Sequence, residues 1–483
     1  MTLAPNNLDP RVGTDEASGR TAQLMFSSLM RLDDHLRVVG DLAERLDNPE
    51  PTVYVVTLRR GVTFHDGSDL TSADVAYTFN CFLDPAFVSG WKGAYRIVQS
   101  VEAPDPYTVV FRLKEPFGSF PINLVMAIVP DGAGADFRAH PIGSGPYRFV
   151  RYLVDDRVEL APFDGYFGGR PKNNGIVIRV VPDDVMRGLE LQKGTLDLVV
   201  NDITPDIVHQ LQQDPRLQAV VGPGTDYQYV GLNLRDPILK DVRVRQALAF
   251  AIDRGAIVEY LRRGLATPAA GMLPPISWAF EPTIAEFTYD PAKARALLDA
   301  AGYPDSDGDG PLPRFSLTLK TSNAVEFNRL QASVIQQNLR DIGVALDVRI
   351  FEFATMYADV LKGNFQLFTL QWVGGALADP DILRRVFHST QTPPAGFNRG
   401  YFSDPHVDEL LDEAAITTDD ARRRAMYGEV QKAVAEAVPY ISLWCKTNVV
   451  VGQRSLSGIQ IPPNGSFTFL KDVARIPASA ATN

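Results

Sequence analysis

The alternation of apolar and polar positions changes period several times along this chain, and each change marks an element. In Arg59-Arg60-Gly61-Val62-Thr63-Phe64-His65-Asp66-Gly67, Val62 and Phe64 alternate with polar neighbours, as in a half-buried strand. Asp66-Gly67 reads as a turn, because Gly accepts positive φ and Asp bonds its own backbone. Thr71 and Asp74 have capping-box spacing, which predicts a helix from about Ala73. Val75, Phe79 and Phe82 form its inner stripe. Residues 52–59 and 106–113 read as further strands.

Farther on, the spacing predicts a helix over 240–254, capped by Asp241 and buried along Val244, Ala247, Leu248, Ala251 and Ile252. Arg243 and Arg245 fall in its first turn, where the helix dipole disfavours cations, so solvent or partners elsewhere must compensate them. Asp290-Pro291 supplies the N-cap and first position of another helix, which Gly302 ends. Then come a strand at 315–320, an amphipathic helix at 325–342 closed by Gly343, and a strand in which Val344, Leu346, Val348 and Ile350 alternate. This strand–helix–strand unit predicts a mainly parallel sheet. A helix at 355–362, a strand at 367–372, helices at 404–415 and 419–437 and a strand at 440–444 follow. The small, polar tail after Ile476 predicts disorder. The class is α/β, without internal repeats.

Length and charge narrow the classes. A chain of 483 residues is too long for one ordinary core, so two or three lobes are expected. The net charge of −11 argues against nucleic acid and against an anionic membrane surface as partners. No apolar run is long enough for a membrane span. Cys81 and Cys445 stand too far apart for a metal knuckle or a redox CxxC pair. The first ten residues have neither the charged nor the apolar region of a signal peptide.

Ligands of open α/β sheets sit beyond the carboxyl ends of the strands. That rule picks out Thr321-Ser322-Asn323 and Trp372-Val373-Gly374-Gly375-Ala376. Trp372 offers a flat face and one donor, and Gly374 and Gly375 let a ligand approach the backbone. Asp305, Asp307 and Asp309, with Gly310 at the sixth position, match the first half of a calcium loop. Ser316 replaces the closing Glu, so a structural calcium site and a simple acidic turn both remain open. The loop Pro141-Ile142-Gly143-Ser144-Gly145-Pro146-Tyr147 lacks the Lys-Ser/Thr of a phosphate-binding loop. The six histidines show no metal-ligand spacing, and His65 reads as a packing and hydrogen-bonding residue. No HExxH or G-x-S-x-G occurs.

Taken in order, Leu8-Asp9-Pro10, the segment Arg59 to Phe79, Gly143-Ser144-Gly145-Pro146-Tyr147, Arg245-Gln246-Ala247-Leu248 with Ala251-Ile252-Asp253-Arg254, and Tyr289-Asp290-Pro291 through Leu297-Leu298 to Ala301-Gly302 closely resemble a known pattern. It belongs to the family 5 solute-binding proteins of ABC importers, which bind peptides, opines and nickel. The resemblance runs from Leu8 to about Trp444. It implies a two-lobed periplasmic-binding-protein-like fold (type II, cluster C) with an extra subdomain and a hinge cleft. By position, one lobe is 1–28, 168–238 and 445–483, the extra subdomain 29–167, and the second lobe 239–444.

The resemblance further implies a receptor that closes its lobes on a peptide or peptide-like ligand and delivers it to ABC permease subunits. Such a receptor acts as a monomer, without catalysis or a cofactor, in the periplasm or on a lipid anchor, its export segment lying outside this chain. Thr14, Asp15 and Glu16 match a region that lines the pocket in family members. Tyr229 and Asn233 on the first lobe, and Arg399 and Tyr401 on the second, are additional candidates, Arg399 for a ligand carboxylate. Peptide-binding members commonly carry an Asp three residues after the Trp, for the ligand's ammonium. Gly375 stands there, so either another acid serves or the ligand is not a free peptide. Asp379-Pro380 resembles a structural pair of the family. The alternatives are a metal chelate, an opine or an oligosaccharide as ligand. From other classes come a hydrolase in the same cleft and a sensory or scaffold role.

Overall fold

The computed structural model describes residues 1–308, 310–323, 326–373 and 377–476. The chain divides into two compact units, Met1–Pro223 with Asn448–Asn483, and Gly224–Thr447.

In the first unit, strands Ala43–Glu50, Val53–Leu58, Thr108–Leu113 and Val98–Asp105 form an antiparallel sheet in that order. Helix Ser72–Leu83 packs on it. Thr71 is the N-cap, and its N–H donates to Asp74 Oδ2 at 2.8 Å, so the helix begins one residue before the expected start. Phe79 meets Phe111 edge-on at 5.0 Å and Tyr95 at 5.5 Å, and all three are buried. Removing such a ring costs about 3–5 kcal/mol.

A second sheet orders Tyr147–Leu153, Arg157–Pro162 and Ile176–Arg179, and a third orders Leu198–Val200, Asn448–Gln453 and Leu217–Gly222. The glycine-rich loop packs backbone on backbone against the end of helix Glu16–Met25. Gly145 N–H donates to Met25 O at 2.9 Å, and a Cβ on Gly143 would lie 2.0 Å from that same oxygen. His65 clamps the loop, accepting from Gly143 N–H at Nδ1 (3.2 Å) and facing Gly145 O with Nε2 (3.0 Å).

The second unit is built on six strands in the order Ala266–Pro268, Tyr440–Lys446, Tyr227–Leu232, Leu367–Trp372, Phe315–Ser322 and Val344–Phe351. Only the pairs around Phe315–Ser322 are parallel, and the others are antiparallel. The sheet is therefore mixed, which corrects the mainly parallel expectation. One strand–helix–strand crossover dictates only its own pairings, and the remaining strands return from distant sequence.

Strand Tyr227–Leu232 lies at the centre of this sheet, so residues 224–238 belong with the second unit rather than with the first lobe as expected. All six of its residues are buried, because side chains cover both faces. The boundary at the other end, 445–447, moves the same way, because Tyr440–Lys446 is a single strand. Residues 29–167 fall in the same compact unit as the rest of the first lobe.

Helix Val242–Ala251 stops before the expected end, since Ile252 is extended and Asp253 caps a new short turn. The first-turn arginines have partners that the pattern did not reveal. Arg243 pairs with Asp241, and buried Arg245 donates to the carbonyls of Leu239 and Ala437. Burial lowers Arg245 to about 10. The tail beyond Ile476 lies outside the described residues.

Candidate functional site

Strands Phe315–Ser322 and Leu367–Trp372 run parallel and adjacent, so their carboxyl ends, Ser322-Asn323 and Trp372, lie at the same edge of the sheet. The antiparallel strand beside them brings Tyr227 opposite Trp372. Helix Phe353–Lys362 contributes Tyr357, and the loop Phe397-Asn398-Arg399-Gly400 contributes its arginine.

Arg399 is the centre of this group. It is 5 % exposed, yet no carboxylate pairs with it among the described residues. Its Nη1 donates to Tyr229 Oη at 3.2 Å and its Nη2 to Tyr357 Oη at 3.0 Å. The guanidinium carbon lies 5.2 Å from the Trp372 ring centre, 5.4 Å from Tyr357 and 5.1 Å from Phe397. Three aromatic rings and two hydroxyls thus hold a buried cation that has no counter-charge among the described residues.

Two donors here have no acceptor among the described residues: Arg399 Nε and Trp372 Nε1, both buried. Buried donors are normally satisfied, so an orphaned pair on stacked neighbours marks a place where an acceptor is missing. Burial raises Tyr229 and Tyr440 above the ordinary tyrosine range, so these two hydroxyls stay neutral and supply only dipoles.

The other sequence candidates divide. Tyr229 does join the site, but as a wall. It is 1 % exposed, stacked on Tyr440 at 4.2 Å and on Tyr227 at 5.6 Å, and sits in the second unit. Its reach toward Arg399 is through the hydroxyl only. Tyr401 turns away: φ is 59° there, and the Arg235 guanidinium covers its ring at 3.3 Å. Asn233 is buried and donates to Phe365 O at 2.9 Å, which makes it a strand-end brace. Asn323 is exposed, and its N–H pairs with Phe351 O. Gly374 and Gly375 lie outside the described residues. Asp379 accepts from Asp381 N–H at 2.8 Å and faces Arg423, in keeping with a structural Asp-Pro.

In the first unit, Asp15 is the N-cap of helix Glu16–Met25, accepting from Ser18 N–H at 2.9 Å and Ser18 Oγ at 2.5 Å. Glu16 pairs with Arg20 one turn on, and Thr14 is exposed. Capping engages Asp15, and an ion pair with Arg20 engages Glu16. Asp307 Oδ2 accepts from Leu312 N–H at 3.0 Å, and Asp305 lies 4.0 Å from Arg314. Asp309 lies outside the described residues, and among those described no three acidic, His or Cys side chains gather as a metal site. Cys81 and Cys445 are free thiols in different units, and burial pushes Cys445 up to about 12.

Sequence reasoning missed Tyr357 and Phe397. Tyr357 reads as an ordinary helix position that only the fold carries to Arg399, and Phe397, two residues before Arg399, reads as an ordinary loop aromatic.

The described residues thus form an α/β protein of two compact units, with a buried arginine walled by aromatic rings in the second. The family model for bacterial extracellular solute-binding proteins, family 5 (middle), matches residues 37–394. The glutathione-binding protein GsiB of Pectobacterium atrosepticum is 31% identical over 477 residues, covering 96% of this chain and 91% of the relative. The oligopeptide-binding protein AppA of Bacillus subtilis, solved with a nonapeptide, superposes with a TM-score of 0.77 at 28% identity, over 98% of this chain and 97% of AppA. HbpA2 of Haemophilus parasuis superposes with a TM-score of 0.88 at 26% identity, over 98% of both chains. The chain belongs to the family 5 bacterial extracellular solute-binding proteins, and its fold is theirs.

Proposed function

We propose that this protein is the receptor of an ABC-type importer for a peptide-like ligand, and that Arg399 anchors a carboxylate of that ligand. The observation that carries the reading is the buried Arg399 guanidinium beside the Trp372 N–H, the first without a counter-charge and the second without an acceptor among the described residues. A carboxylate would accept from both and neutralise the cation, and charge-assisted bonds of this kind are about twice as strong as neutral ones. The aromatic walls Trp372, Tyr357 and Phe397 would exclude water and strengthen the pairing. Likeness to the glutathione-binding GsiB and to AppA with its nonapeptide supports a peptide-like ligand, since both ligand types end in carboxylates.

The second reading, a metal chelate, is supported by the TM-score of 0.78 to NikZ of Campylobacter jejuni with Ni(L-His), at 26% identity. It uses the same arginine if the chelator bears a carboxylate. Delivery to permease subunits and an extracytoplasmic location, periplasmic or lipid-anchored, follow from the same reading. Asp305 and Asp307 are read as structural acids rather than calcium ligands, because Asp307 already serves Leu312 N–H and Asp305 lies beside Arg314. Titration calorimetry of glutathione, a short peptide library and nickel–histidine tests the reading. Binding that fails with Arg399→Gln supports it, and ligands that bind the variant equally well refute it.

A further inference from the structure

The second unit contains a cavity of about 400 Å³ that does not include Arg399 or Trp372. Its walls come from the break after helix Val242–Ala251, the long loop 268–289, the strand Tyr440–Lys446 and the end of helix Asp420–Ala437. A volume of this size is in the range of small-molecule sites. Met272, Leu273, Phe280, Phe387 and Val434 make much of the lining apolar.

One cation stands on this wall. Arg254 is 9 % exposed. Its Nε donates to Ser442 O at 2.5 Å, and its Nη1 to Phe287 O at 2.7 Å and Ala249 O at 3.0 Å. Those carbonyls fix the guanidinium in place. Among the described residues its Nη2 has no hydrogen-bond partner and no carboxylate lies within salt-bridge distance of Arg254. A buried charge held only by dipoles is incompletely compensated.

Two carboxylates share the wall. Asp253 is committed as a cap, accepting from Ala256 N–H at 2.9 Å, and Glu286 is exposed. An exposed Glu286 repels a second negative charge on any ligand. Apolar lining and one anchored guanidinium suit a single negative charge on a hydrophobic body, and the two wall carboxylates disfavour a second.

We propose that this cavity is a second binding site, for an apolar monocarboxylate whose carboxylate pairs with Arg254. The site is independent of the Arg399 reading. It gives the protein a way to take up a hydrophobic acid without using the transport site.

The test uses the full chain and 3-phenylpropionate as probe, with its neutral amide as control. The Met272 methyl resonance lines the cavity and reports occupancy without any substitution. The expected result is a saturable shift of that resonance by the acid, at least about tenfold weaker for the amide, as charge-assisted pairing requires. Ala435→Trp fills the cavity and Arg254→Lys removes the planar fork. Each is expected to weaken binding at least about tenfold, with Arg399→Gln leaving it unchanged. No Met272 shift, or equal shifts from acid and amide, overturns the proposal. So does binding that survives Ala435→Trp or is lost with Arg399→Gln.

Discussion

The Arg399 guanidinium carbon lies 5.2 Å from the centre of the Trp372 ring, and each side chain keeps one buried N–H without an acceptor among the described residues. Charge, aromatic surface and unmet donors therefore coincide at one point. If a ligand carboxylate completes this group, Arg399→Gln should weaken binding by about 100-fold, in the range found when a buried charge pair loses one partner. The free protein should lose little stability, because the substitution removes an uncompensated cation. Parallel calorimetry and thermal unfolding check both halves. A large drop in unfolding temperature with unchanged affinity would assign Arg399 to the core instead.

Gly143 is where the glycine-rich loop meets helix Glu16–Met25. An added Cβ would sit 2.0 Å from Met25 O, a backbone atom that cannot swing aside. Gly143→Ala should therefore destabilise the first unit by about 3 kcal/mol or more, in the class of overpacked or strained sites. Urea unfolding measures it. A change under about 0.5 kcal/mol, the level of an ordinary surface site, would show that loop and helix separate easily.

His65 gives the same contact a pH dependence. Burial lowers its pKa below the ordinary 6.5, and Nδ1 must stay unprotonated to accept from Gly143 N–H. The unfolded chain takes up the proton near 6.5 while the folded chain resists it, so stability falls as pH drops below 6.5 and levels off once the folded imidazole protonates. The slope for one such group approaches about 1.4 kcal/mol per pH unit. Urea midpoints compared between His65→Gln and the parent isolate it. The variant should start less stable at neutral pH and lose less on acidification, whereas equal losses would place the acid sensitivity elsewhere.

Asp307 is engaged by Leu312 N–H and Asp305 lies beside Arg314. Calcium at millimolar concentration should then leave the tryptophan fluorescence and unfolding temperature unchanged. A saturable calcium response that Asp307→Asn removes would restore the half calcium motif as a binding loop.

Much of the architecture was legible because local signals were strong. The Thr71–Asp74 capping box, the Asp290-Pro291 start and the Gly343 stop each depend on residues a few positions apart, and each stands where the pattern puts it. What failed was long-range. Strand Tyr227–Leu232 pairs with segments more than a hundred residues away, and nothing within it states that it crosses to the second unit. The site behaved alike. Trp372 was visible as an aromatic at a strand end and Arg399 as a spare cation. Their meeting, and the part of Tyr357, depends on three elements folding together. Asp15 and Glu16 show why acids near a helix start are hard to read, since a cap, an ion pair and a ligand acid share the same composition.

The most direct measurement is calorimetric titration of one short peptide in two forms, with a free carboxyl terminus and with a terminal amide, against the parent and Arg399→Gln, the peptide being the best binder of a preliminary screen. The account predicts that the free acid binds the parent at least about tenfold more tightly than the amide, and that the substitution abolishes the difference. Equal binding of acid and amide by the parent, or a preference that persists in Arg399→Gln, would contradict it.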